Sequence, residues 1–177
     1  MSVYYFPDNT VLVNFASVQE SSLLVAILDG RGRWTDAVAD EARKSRRHHP
    51  DLGILIDSGA LGEELYVDDP ADVRAVEHLR RQVFHGPIDK PTKHLGEATT
   101  CFLLRKHEEL RESFWVTDDR DAAEYAKRQG IFTWGTSDLM SEGLARGACV
   151  RDDAWLMLLA MRKAGNYLWI PASKHQL

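Results

Sequence analysis

The sequence predicts an α/β domain whose mainly parallel sheet is covered by helices. Two observations carry this expectation. From about residue 95 onward, helix-like and strand-like stretches alternate, the pattern of strands joined by crossover helices. The chain also has 177 residues, 44% hydrophobic and 28% charged, a size and composition that suit one folded domain with a sizeable core.

Taken in order, residues 3–6 form a β-branched and aromatic run stopped by Pro7, which predicts a strand. Asp8-Asn9-Thr10 then offers capping side chains to a helix with Val11, Leu12, Phe15 and Val18 at helical spacing. A second apolar stretch, LLVAILDG, predicts a helix closed by Gly30, and Thr35 reads as the N-cap of a helix from 36 to about 47. The middle offers strand-like ILI (54–56) and LYV (65–67). Asp68-Asp69-Pro70 opens a helix carrying Val73, Val76, Leu79 and Val83 on one face, and HGPIDKPTKH is a loop. A helix at about 95–105, a strand at 113–117, a helix at 120–129 closed by Gly130, a strand IFTW and helices at 137–146 and 152–164 complete the chain. Trp155, Leu156, Leu159 and Met161 on the last helix suit a core better than a dimer face.

Twenty-two Lys and Arg against 27 Asp and Glu give a net charge of -5, which lacks the overall basic footprint of a dedicated nucleic-acid binder. An enzyme that cuts nucleic acid is compatible with this balance when acids gather at a metal and bases gather beside it. Cys101 and Cys149 lack C-x-x-C spacing, so neither a disulfide framework nor a zinc site is expected. Cys101, in the apolar run CFLL, reads as a buried hydrophobe. The first residues have no basic region ahead of an apolar one and no stretch reaches membrane-spanning length, so a cytoplasmic protein is expected.

Four acidic signals stand where strands end or helices begin: Asp8, Glu41, Glu97 and the pair Asp118-Asp119. Carboxylates brought together repel unless a counter-charge neutralises them, and hard ions such as Mg²⁺ or Mn²⁺ take oxygen ligands. Each acid also has a plainer explanation. Asp8 can cap the first helix, Glu97 suits a helix dipole, and Glu41 is a good helix former that normally faces solvent. The pair is the most specific signal, because capping accounts for only one acid while Asp118, Asp119 and Asp121 crowd one turn. Arg43, Lys44, Arg46 and Arg47 form the densest basic run; such runs are usually solvated faces, and beside carboxylates they can hold phosphates.

In order, these residues resemble the PIN-domain family of metal-dependent ribonucleases. The resemblance rests on Asp8-Asn9-Thr10 after the first strand, Val38-x-x-Glu41, Gly96-Glu97-Ala98, Asp118-Asp119-Arg120-x-Ala122, Ala126 to Gly130, and Gly135-Thr136-x-x-Leu139. It is good over 93–150, thinner over 1–47 and absent from 50–92, which is expected to be a divergent or inserted segment, with 151–177 a C-terminal helical extension of one domain. The family's Asp-Thr-Asn order is Asp-Asn-Thr here. The resemblance implies a three-layer α/β/α sandwich, Mg²⁺ or Mn²⁺ at the acid cluster and hydrolysis of single-stranded RNA. Asp8, Glu97 and Asp118 or Asp119 would hold the ion, Glu41 would complete the site, and Thr10, Thr117 and Asp121 would support it. Arg43, Lys44, Arg46 and Arg47 would position RNA. Members are often toxins restrained by an antitoxin, and often dimers, so both partners are implied. Two alternatives stay open: an inactive PIN-like interaction module, and a phosphoryl-accepting domain suggested by ILID ending at Asp57.

Overall fold

A computed structural model describes residues 3–177. In chain order the elements are β1 (Tyr5–Pro7), α1 (Asn9–Ser17), α2 (Ser21–Leu28), β2 (Trp34–Thr35), α3 (Asp36–Ser45) and α4 (Leu52–Asp57). There follow β3 (Glu64–Leu65), α5 (Pro70–Gln82), α6 (Leu95–Lys106), β4 (Phe114–Val116), α7 (Arg120–Arg128), β5 (Phe132–Trp134), α8 (Thr136–Ala145) and α9 (Arg151–Lys163). The chain is thus a mixed α/β domain with small, wholly parallel sheets.

β4 lies between β1 and β5, with Phe6 opposite Trp115 and Trp115 opposite Thr133. β2 and β3 form a second parallel pair. The two groups meet at Gly32, which bridges to Tyr5: Tyr5 N–H donates to Arg31 at 2.9 Å and Arg33 N–H donates to Tyr5 at 2.8 Å. An added Cβ on Gly32 would come within 2.4 Å of the Ala60 carbonyl, so the close approach requires glycine.

Strand alternation sends successive side chains to opposite faces. Tyr5 and Val116 join a large core cluster with Leu12 and Phe15 of α1, Leu24 and Ile27 of α2, Leu139 of α8 and Leu158 of α9. Phe6 and Trp115 join a different cluster with Cys101 and Leu104 of α6 and Ala122 and Ala126 of α7. Cys101 is buried, as expected, and burial pushes its thiol up to about 12. On α9, Met161 is buried whereas Leu156 and Leu159 are exposed, so only part of that apolar set is core.

One strand expectation is corrected. Residues 54–56 lie within α4, not in a strand. Leu52 and Leu55 are buried three residues apart while Ile54 is exposed, a helical pattern too short to separate from a strand by composition. The LYV stretch contributes only Leu65 to β3. Residues 50–92 supply α4, β3 and α5, and α5 carries the buried Arg80. Its guanidinium donates to both Glu77 carboxylate oxygens at 2.7 Å and to the carbonyls of Pro87, Lys90 and Lys93. This buried charge, fully hydrogen-bonded, fixes the loop that delivers α6. No helix among the described residues is long and apolar enough to cross a membrane.

Because β1, β4 and β5 are parallel, their carboxyl ends share one edge. Asp8 follows β1, Thr117-Asp118-Asp119 follows β4, and Gly135-Thr136 follows β5. In open α/β sheets this edge is where ligands bind.

Candidate active site

Asp8 caps α1 and is also buried. Its Oδ1 accepts from Thr10 N at 2.7 Å, from the Thr10 hydroxyl and from Val11 N at 3.2 Å. Its Oδ2 accepts from the Thr117 hydroxyl at 2.5 Å. Thr10 and Thr117 therefore both hold this carboxylate. Despite these donors, burial drives the Asp8 pKa up to about 6, and the nearby Glu97 adds to the rise.

Glu41 stands on α3 and turns inward, which its helical position alone did not establish. Its carboxylate accepts no hydrogen bond from any described residue. Burial, followed by the charges of Glu97 and Asp8, raises its pKa to about 7, with Lys44 opposing the rise. Glu97, in the first turn of α6, meets the His94 ring nitrogen at 3.0 Å. His94 adopts the left-handed backbone (φ +61°) immediately before α6.

α3 and α6 approach closely at Gly96. A Cβ there would lie 3.0 Å from Val38 and 3.6 Å from both Glu41 carboxylate oxygens. Asp8, Thr10, Glu41, Gly96 and Glu97 line one cleft of about 80 Å³. Three acids 33 and more residues apart in the chain thus share a small polar pocket, where burial is the first cause of the two raised pKa values and repulsion between the acids adds to it.

Asp118 and Asp119 divide their tasks. Asp118 turns away from this cleft: Oδ1 accepts from Thr136 N at 3.0 Å, and Oδ2 from the Thr136 hydroxyl at 2.5 Å and Asn14 Nδ2 at 2.8 Å. Asn14 also donates to the Thr136 hydroxyl at 3.0 Å. Burial raises the Asp118 pKa against the pull of these donors. Asp119 caps α7, accepting from Ala122 N at 2.9 Å, and its own N–H donates to the Thr117 hydroxyl at 3.1 Å. Asp119, Asp121 and Glu97 border a larger cavity of about 420 Å³. Asp121 makes no hydrogen bond to the other acids.

The basic run is partly committed elsewhere. Arg43 pairs with Asp40 at 3.1 Å and with Glu64, and Arg46 pairs with Asp57 at 3.1 Å. Lys44 and Arg47 form no ion pair among the described residues and are exposed. Asp57, the end of the ILID stretch, therefore closes a surface ion pair at the end of a helix, not a strand-end acceptor site.

The sequence assigns no site role to Asn14, His94 or Thr136, although Thr136 stands in the Gly135-Thr136-x-x-Leu139 stretch. Asn14 had a signal: it is a polar residue beside the apolar stripe of Val11, Phe15 and Val18. Among the described residues, no three His, Cys, Asp or Glu side chains stand ready to hold a metal ion. The charged groups lining the cleft are nevertheless all carboxylates, the oxygen chemistry a hard divalent cation requires, and such an ion would offset the charge that burial and mutual repulsion penalise at Asp8 and Glu41. Compared with known proteins, the chain matches no protein-family model, no curated protein and no solved structure.

Proposed function

We propose that this chain is a divalent-metal-dependent endoribonuclease of the PIN type, built as a three-layer α/β/α sandwich, with its centre at Asp8, Glu41 and Glu97. The single observation that carries the reading is the convergence of these carboxylates, from the end of β1, from α3 and from α6, on one cleft at the carboxyl edge of a parallel sheet. The separate core clusters on the two faces of that sheet support the layered arrangement.

Mg²⁺ or Mn²⁺, when bound, supplies an activated water and neutralises charge on the scissile phosphate. Asp8, pinned by Thr10 and Thr117, provides the fixed oxygen, and the longer side chains of Glu41 and Glu97 provide reach. Asp119 adjoins them as a further ligand, while Asp118 supports the edge through Thr136 and Asn14. Glu41, with a pKa near neutrality, is suited to holding a proton when the ion is absent and to releasing it when the ion enters. Lys44 and Arg47 are the cations of the basic run free to meet RNA phosphates, and such contacts weaken with salt.

Incubating the protein with single-stranded RNA and Mg²⁺ or Mn²⁺ tests the reading. Cleavage by the wild type, abolished in Asp8→Asn and Glu97→Gln variants that remain folded, supports it; equal cleavage in the variants refutes it. The absence of a ready group of three metal ligands favours a second reading, an inactive PIN-like interaction module, which predicts no ion binding at all. An antitoxin, a second copy and a cytoplasmic setting rest on the sequence expectations alone.

A further inference from the structure

A third cavity, of about 350 Å³, lies at the same sheet edge, beside Thr117. It is lined by the end of β5 at Trp134 and Gly135 and by the segment after α9, which carries Tyr167 and Trp169. In that segment exposure alternates: Tyr167 is 77% and Trp169 68% exposed, whereas Leu168 and Ile170 are 5% and 8% exposed. The two aliphatic residues anchor the segment to the core, and Ser137 donates to the Trp169 carbonyl at 2.5 Å. Two large aromatic rings are therefore held at the surface by a fixed backbone, although burial would be their default.

The polar groups around the cavity are sorted by charge. Asp119 and Asp138 form part of its wall. Each uses one carboxylate oxygen on a backbone N–H, Ala122 at 2.9 Å and Gly135 at 2.7 Å. The second oxygen of each accepts no hydrogen bond from a described residue. Lys127 and Arg120 also line the cavity; Lys127 has no ion-pair partner among the described residues, and Arg120 pairs only with the exposed Glu124 at 3.1 Å. The free oxygen of Asp138 suits an N–H donor of a nucleobase and repels a phosphate, whereas the cations attract the phosphate. Exposed aromatic faces beside them suit base stacking.

We infer that this cavity is a base-stacking subsite for single-stranded RNA, with Trp169 and Tyr167 as the platform and Lys127 and Arg120 holding the flanking phosphates. The inference rests on the ribonuclease reading and places its substrate beside the carboxylates: Asp119 borders both this cavity and the one of about 420 Å³, and Glu97 borders both that one and the carboxylate cleft. A duplex, whose bases are already stacked, would not enter.

The test uses a fluorescein-labelled single-stranded oligoribonucleotide in EDTA, so that no cleavage occurs, with anisotropy as the readout. Trp169→Ala is expected to weaken binding about tenfold or more and the Trp169→Ala/Tyr167→Ala pair further, while Trp169→Phe keeps most of the affinity. Asp8→Asn should bind like the wild type here while failing to cleave with metal, which separates the subsite from the chemistry. Loss of binding in Trp169→Ala without any cleavage by the wild type would retain the subsite and remove the nuclease reading. Wild-type affinity in the Trp169→Ala/Tyr167→Ala variant, or no binding by the wild type, overturns the subsite.

Discussion

The Thr117 hydroxyl donates to Asp8 Oδ2 at 2.5 Å, joining the carboxyl ends of two adjacent parallel strands across 109 residues of sequence. The same oxygen accepts from Asp119 N at 3.1 Å. One buried hydroxyl therefore ties the most buried acid of the cleft to the turn that carries the aspartate pair.

Thr117→Val removes this tie without changing side-chain volume. Leaving Asp8 short of one donor should destabilise the fold by about 1–2 kcal/mol, measured by urea denaturation. It should also raise the Asp8 pKa further, because the lost bond favoured the ionised form. Carboxyl titration by NMR checks the second effect, and an unchanged Asp8 titration would contradict it.

Stability should depend on pH in a direction set by the raised acids. Asp8 moves from 3.8 to about 6 and Glu41 from 4.5 to about 7. The folded chain thus keeps protons that the unfolded chain has released, so these groups lower stability as pH rises from about 4 to about 7. Glu41→Gln should then stabilise the metal-free protein at pH 8 by about 1–2 kcal/mol. A lower Tm than wild type at pH 8 would show that Glu41 is not strained in the cleft.

The two neighbouring aspartates should respond differently to removal. Asp118→Ala orphans Thr136 and Asn14 donors inside the protein and should cost about 3 kcal/mol. Asp119→Ala loses a helix cap and should cost about 1 kcal/mol. Chemical denaturation of both variants compares them; equal costs would mean that Asp118 is not the structural member of the pair.

Gly96 is the point where α3 and α6 come close enough to share a site. Gly96→Val places methyl groups against Val38 and the Glu41 carboxylate. We expect a folded protein whose Mn²⁺ affinity falls at least about tenfold. Unaltered Mn²⁺ affinity by calorimetry would show that the ion does not sit in this cleft.

Much of the helical framework is legible in the sequence, because its signals are local. Asp8, Thr35, Asp69 and Asp119 all cap the helices that follow them, and Pro70 occupies a first-turn position of α5. The ILI stretch misled, since three apolar residues carry no periodicity. At the site, Asp8 and Glu97 stood out through their places beside a strand end and a glycine. Glu41 was the weakest candidate because no local pattern states which face of α3 meets α6; that depends on Gly96, 55 positions away. The separation of Asp118 from Asp119 was equally hidden, since it is decided by Asn14 and Thr136 from elsewhere in the chain.

The most direct measurement is isothermal titration of Mn²⁺ into the wild type and into Asp8→Asn, Glu41→Gln and Glu97→Gln. Saturable uptake by the wild type, weakened about tenfold or more in each variant, is the predicted result. No uptake by the wild type, or the same affinity in all four proteins, contradicts a metal centre at these carboxylates.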